Sequence, residues 1–292
     1  MSMDRDEDWF FRHGAEHVAS NRRSVACKLC AAETTLFDVV DFGRQCSYAV
    51  YPDGLAGVAV YYRKCSRCNL IFTDFFDHFT PEQWARHVYN SDYIKIDPEY
   101  LDVRPRANVA VAQSATQGWW SPASIGCDFG GGSGLMAKEL TRRGIRFDCM
   151  DPFGETFLSA KPGQYSLVTA FEVVEHLPDP LGSFAEIAGL ASKKQSLIVM
   201  STTLNDVVSR PGDLIKWWYA APRNGHITLY AEESMRFLAQ KHGFEYARIR
   251  GLHLMGRNIA LAPIGRRILL AKIKRKLGLG PLSPAAAPSA TA

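Results

Sequence analysis

Residues 123–140 read ASIGCDFGGGSGLMAKEL. A short apolar run ends at Asp128, glycines follow at Gly130, Gly131, Gly132 and Gly134, and a helix-type pattern begins at once. Glycine lets the backbone turn sharply and brings a ligand against the main chain, where a side chain would collide. Strand, turn and helix in that order make a nucleotide-type pocket at the carboxyl end of the strand. A flexible surface loop would lack the flanking elements.

The next strand, RFDCM, ends in Asp151, 21 residues after Gly130. At that distance a carboxylate can accept hydrogen bonds from both ribose hydroxyls. Phe153, two residues on, is a candidate for lying against an adenine ring. These features alone also fit a dinucleotide oxidoreductase, whose turn serves a pyrophosphate at a helix N-terminus. Asp128 argues otherwise, because a carboxylate beside the glycines repels phosphates and suits a cationic ligand.

Outward from the turn, strands and helices alternate. Strands are expected at Ala123–Phe129, Ile145–Met150, Tyr165–Phe171 and Ser196–Ser201, with helices at Gly134–Arg143 and Pro180–Leu190. After an irregular stretch around Asp213–Asn224, a helix over Ala231–His242 and a closing strand over Phe244–Arg250 complete the set. This order calls for an α/β fold, a Rossmann-like and mostly parallel sheet with helices on both faces.

A second phrase, YSLVTAFEVVEHLPDP at 165–180, is an apolar strand followed by an acidic-histidine pair and a proline-containing loop into a helix. With Asp128 and the Gly130, Gly132, Gly134 turn, it resembles the class I S-adenosylmethionine-dependent methyltransferases over about residues 119–262. The resemblance implies S-adenosylmethionine (SAM) as cofactor. It also implies that Phe171, Glu172 and His176 line the cleft between cofactor and acceptor, while Glu175 is expected to be a surface or capping carboxylate. Only about 15 residues separate Asp151 from Tyr165, too few for the helix and strand that the family places there. The third strand of the family pattern is therefore expected to be missing or vestigial.

Cys27-x-x-Cys30 and Cys65-x-x-Cys68 enclose 34 residues and bracket the extended-looking FDVVDF and GVAVYYRKC. Two such knuckles can offer four thiolates tetrahedrally to a structural zinc ion. Buried free cysteines would not explain two equal spacings. Cys46, Cys127 and Cys149 lack such partners and read as packing. A four-cysteine zinc ribbon ahead of a class I methyltransferase core resembles the sugar methyltransferases of bacterial deoxysugar and surface-polysaccharide pathways. That resemblance implies a sugar or nucleotide-sugar acceptor and puts Tyr93, in YNSDYIKIDPEY, and His226, in APRNGHITLY, beside it. His226 is the first candidate to take the acceptor's proton, His176 the second, with Tyr93 bordering the cofactor. The carbon-methylating relatives carry an acidic residue where this chain has Gly225, so hydroxyl and carbon acceptors both stay open. Trp217, Trp218 and Tyr219 read as acceptor wall or as core, and Arg223 as a grip for a diphosphate or a solvated side chain.

The 292 residues, 47% of them apolar, are divided as an N-terminal segment (1–23), a zinc-ribbon module (24–72), a helical connector (73–118), the methyltransferase core (119–262) and a basic helix with a disordered tail (263–292). In the connector, Pro81 and Asp97-Pro98 mark helix starts, the second run ending near Gln113. No export signal and no run of about 18 apolar residues is seen, and seven cysteines fit a reducing compartment. A cytoplasmic protein is expected. A net charge of +4 gives no general reason for nucleic acid. Within 264–277 six basic residues and no acid accompany Ile264, Ile268, Leu269, Ile273 and Leu277. That helix could rest on the inner face of an anionic membrane, touch RNA or simply be solvated. Two other readings remain: an rRNA or tRNA methyltransferase using the zinc ribbon and basic C-terminus, and a non-catalytic cofactor-binding scaffold.

Overall fold

The computed structural model of the chain describes residues 24–47, 49–50, 56–151 and 161–277. The segment 1–23, Phe153 with its neighbours and the tail beyond 277 lie outside the described residues.

Strands β1 (Thr34–Asp41), β2 (Ala59–Cys65) and β3 (Ile71–Phe72) form an antiparallel sheet, β1 and β2 running between the cysteine pairs and β3 following the second. The connector holds α1 (Pro81–His87), α2 (Tyr93–Ile96) and α3 (Val103–Thr116). Helix α1 begins at the expected proline. Thr80 caps it, its hydroxyl accepting the Gln83 amide proton while the Gln83 side chain accepts that of Thr80. Asp97-Pro98 does not start a helix. It opens a turn that Arg104 fastens by pairing with Asp97, so α3 starts at Val103 and runs on to Thr116.

The core follows the expected alternation. Its elements are β4 (Gly126–Phe129), α4 (Leu135–Arg142), β5 (Phe147–Met150), β6 (Leu167–Phe171), α5 (Pro180–Leu190), β7 (Ser196–Ser201), β8 (Thr228–Leu229), α6 (Glu232–Lys241), β9 (Glu245–Ile249), β10 (Leu252–Arg257) and α7 (Leu261–Lys276). Six strands make one sheet in the order β5-β4-β6-β7-β10-β9, parallel through β7 and antiparallel beyond. LVTAF of β6 and SLIVM of β7 are almost wholly buried, as apolar strands covered on both faces must be. At the edge, β9 exposes Glu245 and Arg248, charges that discourage pairing with another chain. Among the described residues no strand lies beyond β5, in keeping with the short Asp151–Tyr165 connection.

Three features go beyond the expectation. Strand β10 returns antiparallel to β9 through Arg250, at φ 54, and Gly251, a hairpin signal that arginine does not carry. Strand β8 leaves the core and completes the N-terminal sheet by pairing with β3, Ile71 opposite Leu229 and Phe72 opposite Thr228. Helix α7 does not keep its apolar residues free: Ile264 and Ile268 are buried with Val109, Val111 and Ala112 of α3, while Leu270, Ile273 and Leu277 are exposed. No helix among the described residues is long and apolar enough to cross a membrane.

Candidate active site and cysteine cluster

Backbone geometry explains each glycine of the turn. Gly130 has φ 70, and a Cβ there would meet a Val173 methyl at 2.5 Å. At Gly131 a Cβ would lie 2.5 Å from the Asp128 carboxylate and 2.7 Å from Cys149 Sγ. Gly132, at φ 55, faces open space. So the first two glycines let the loop sit on the sheet, and the third leaves room above it. Gly134, at φ 70, turns the chain into α4.

Two carboxylates border this room. Asp128 is buried and accepts the Thr169 hydroxyl proton at 2.7 Å. Burial pushes its carboxyl up to about 7, against the pull of that hydrogen bond. Asp151 accepts the Gly132 amide proton at 2.7 Å. An open side over Gly132, glycines where side chains would clash and carboxylates at the ends of both strands fit a cationic adenosyl ligand, and Asp128, Asp151 and the turn would hold it.

Phe171 is half-buried at the end of β6. Glu172 follows in the left-handed region at φ 54, its amide donating to the Ser201 carbonyl at 3.0 Å and to the Ser201 hydroxyl at 3.1 Å. A non-glycine residue held there is strained, and such strain gathers at functional sites. The sequence had no signal for it.

Beyond Glu172 the chain makes a short turn, and Glu175 inverts the expectation of a surface carboxylate. It is fully buried, because Tyr219 folds over it and donates its hydroxyl proton to Oε1 at 2.6 Å. Burial, reinforced by the nearby Glu172, drives its carboxyl well above the usual range. His176 and His226 lie edge to face with ring centres 5.0 Å apart. Tyr89 links His176 to Tyr93, its ring 6.2 Å from the former and 5.2 Å from the latter, and the Tyr93 hydroxyl donates to the Asn224 carbonyl at 3.3 Å. Residues 93, 176 and 226, far apart in sequence, thus share one wall.

His226 is the most defined of these groups. Its Nδ1 lies 2.9 Å from the Tyr219 carbonyl oxygen, and the Tyr219 ring covers the imidazole at 4.2 Å between centres. A carbonyl can only accept, so Nδ1 carries the proton and Nε2 keeps its lone pair. Burial lowers the imidazole to about 4. It is a neutral base in neutral solution. His176 is also driven well below the usual imidazole range, by burial and by the neighbouring His226. Nδ1 of His226 also has the Cys46 sulfur at 3.8 Å, a thiol that burial pushes up to about 12.

Trp217 and Tyr219 are core, whereas Trp218 is 40% exposed. Arg223 is not available as a diphosphate grip. It is fully buried and donates to the Val88 carbonyl at 2.7 Å and to the Asn90 side chain at 3.0 Å. Sequence reasoning passed over Tyr89 and undervalued Glu175 and Tyr219, whose only signal was the aromatic density of 84–100 and 217–219.

The cysteine pairs meet. Cys27 and Cys68 sulfurs are 3.6 Å apart, Cys30 and Cys65 3.5 Å, and Cys30 and Cys68 3.6 Å. Four thiolates around one zinc ion at about 2.3 Å stand roughly 3.8 Å apart, so the cluster has the size the ion requires. Amides of Leu29, Arg67 and Cys68 point at these sulfurs from 3.3–3.4 Å, which suits thiolates. Cys27, Cys30, Cys65 and Cys68 would hold the ion.

Residues 121–249 match a family model described as a methyltransferase domain. The chain carries a methyltransferase domain. With the carboxylate-edged glycine turn it is a SAM-dependent methyltransferase. No curated protein matches the chain. Similar solved structures include a SAM-dependent methyltransferase of Thermotoga maritima (13% identity, 56% of this chain and 94% of that one, TM-score 0.38). Magnesium protoporphyrin IX methyltransferase of Synechocystis, with bound SAM, is 17% identical over 63% of this chain and 92% of its own (TM-score 0.38). An O-methyltransferase family protein of Burkholderia thailandensis is 16% identical over 56% of this chain and 60% of its own (TM-score 0.38). Likenesses of this size say nothing about the acceptor.

Proposed function

We propose that this methyltransferase transfers the SAM methyl group to a hydroxyl or carbon of a sugar or nucleotide-linked sugar, with His226 as the proton acceptor. The reading rests on His226: a buried imidazole whose tautomer is fixed by the Tyr219 carbonyl and whose ring lies beside His176. SAM supplies a methyl on a sulfonium, a group that leaves unaided. The protein's part is then alignment and removal of one proton. Asp128, Asp151 and the glycine turn hold the cofactor, Phe171 and Glu172 border it, and His226 Nε2 takes the proton as the acceptor attacks. His176 is the second candidate, and Tyr93 closes the site from the connector.

Tyr89, half-buried beside His176 and in contact with Tyr93, supports the sugar assignment, since aromatic faces suit the C–H surfaces of sugar rings. Structural zinc at the four cysteines would fix the N-terminal sheet, whose last strand begins two residues after His226.

Incubating the purified chain with SAM and a panel of nucleotide-linked sugars and ketosugars tests this. Demethylated cofactor and a singly methylated sugar are expected, both lost in His226→Ala with cofactor affinity kept. Methyl incorporation into RNA alone, or a fully active His226→Ala, overturns it.

A further inference from the structure

We infer that Tyr219 and Glu175 are positioning residues for His226: the buried Glu175 carboxyl holds the Tyr219 hydroxyl, and so fixes the peptide whose carbonyl orients the imidazole. The inference rests on the reading of His226 as the proton acceptor, and it gives Tyr219 and Glu175, the acidic member of the pair at 175–176, a role that the sequence does not assign to either.

The geometry is a single chain of contacts. Glu175 Oε1 receives the Tyr219 hydroxyl at 2.6 Å, and Thr202 Oγ1 lies 3.1 Å from the same hydroxyl. The Tyr219 ring lies on His226 at 4.2 Å, and its carbonyl is 2.9 Å from Nδ1. From the other side, the Ile227 amide donates to the Glu175 carbonyl at 2.9 Å, so the peptide after His226 hangs on the same glutamate. Tyr219 and Glu175 are both fully buried. Glu175 therefore touches the imidazole's support at two points without being the base. A neutral carboxyl suits that task, because Tyr219 needs an acceptor and no charge. Burying the pair costs nothing in polar satisfaction at the hydroxyl, which has Glu175, Thr202 and, at 3.4 Å, Glu172 Oε2 around it.

Orientation is what the step demands. Nε2 must face the acceptor within hydrogen-bond reach, and a shift on the order of 1 Å costs roughly 100-fold in rate.

The test uses the full chain with SAM and the nucleotide-linked sugar of the panel above that turns over. Tyr219→Phe keeps ring and carbonyl and deletes only the hydroxyl. Glu175→Gln keeps an acceptor for that hydroxyl and removes any ionisable group. Glu175→Ala removes both. The expected pattern is a drop of roughly 10- to 100-fold in kcat for Tyr219→Phe and Glu175→Ala. KM for SAM should be unchanged, and the acid limb of the kcat profile should move to lower pH as the carbonyl loosens from Nδ1. Glu175→Gln should restore most of the activity. An inactive but folded Glu175→Gln would make the charge essential and overturn the inference, as would Tyr219→Phe with unchanged kcat and limb. A fall only in melting temperature, with activity per folded molecule kept, would also overturn it. A fully active His226→Ala sinks the underlying reading instead, whereas an inactive His226→Ala beside an unaffected Tyr219→Phe sinks this inference alone. If the variants fail to fold, the Nδ1 proton resonance of His226 in the wild type decides: absence of a hydrogen-bonded Nδ1 proton overturns the inference.

Discussion

Gly132 donates its amide proton to Asp151 over 2.7 Å, tying the tip of the glycine turn to the carboxylate that follows β5. The same glycine faces open space, while its neighbour Gly131 is wedged against Asp128 and Cys149. The two therefore answer differently to a methyl group. Gly131→Ala should destabilise the fold, since its Cβ would fall at 2.5 Å from a carboxylate oxygen. Gly132→Ala should cost only about 1 kcal/mol of left-handed strain yet place a methyl where the cofactor belongs. Melting curves and SAM titration of both variants check this: Gly131→Ala loses melting temperature, Gly132→Ala loses SAM affinity at least ten-fold.

Asp128 gives a pH signature for cofactor binding. Its folded-state carboxyl is raised to about 7, so below that pH it is largely protonated and offers no charge to a cation. SAM affinity should rise as pH goes from 6 to 8, and binding at pH 7 should release a fraction of a proton, visible as a buffer-dependent heat in calorimetry. Asp128→Asn keeps an acceptor for Thr169 and should bind SAM more weakly with no pH trend. The sign for stability is the reverse: a raised carboxyl contributes most below about 3.8 and loses that contribution as pH climbs through 7.

The cysteine cluster should matter to turnover before it matters to cofactor binding. Thr73 donates its amide proton to the Ile227 carbonyl at 3.0 Å, and β3 pairs with β8, so the module next to the metal site holds the segment that carries His226. Metal analysis should find one zinc per chain bound at the four thiols. Stripping it with a chelator, or Cys65→Ser, should cut methyl transfer by ten-fold or more while the glycine turn, built on the other sheet, still titrates with SAM. Equal loss of both would place the module's contribution in global stability instead.

What was legible in the sequence was what local chemistry encodes. The strand–glycine–helix phrase at 123–140, the carboxylate at 151 and the paired cysteines each declare themselves within a few residues, and the alternating strands followed from them. What escaped depends on distant partners. Glu175 looks like any charged residue after a strand until Tyr219, 44 positions on, closes over it. Strand β8 has two residues and no pattern of its own; it exists because β3 offers an edge. Helix α7 shows an apolar stripe, but the sequence does not say that α3 takes the Ile264 and Ile268 part of it.

His226 supplies the last prediction. A free histidine would lose its lone pair below about 6.5, whereas this one, held neutral by burial, protonates only near 4. At saturating SAM the acid limb of kcat should therefore fall near pH 4, and kcat at pH 5.5 should match that at pH 7.5. Stability carries the same signature with a definite sign. Because the folded value lies below the unfolded one, the contribution of His226 is complete above about 6.5 and drains away as pH falls toward 4, by on the order of 3 kcal/mol in all. Comparing wild type with His226→Gln isolates it from the other buried histidines, His176 and His253, which shift in the same direction. The difference in melting temperature between the two proteins should move against the wild type as pH drops from 7 to 4. A kcat limb near 6.5, with a melting difference independent of pH, would mean that water reaches the imidazole and that the Tyr219 cover does not seal it.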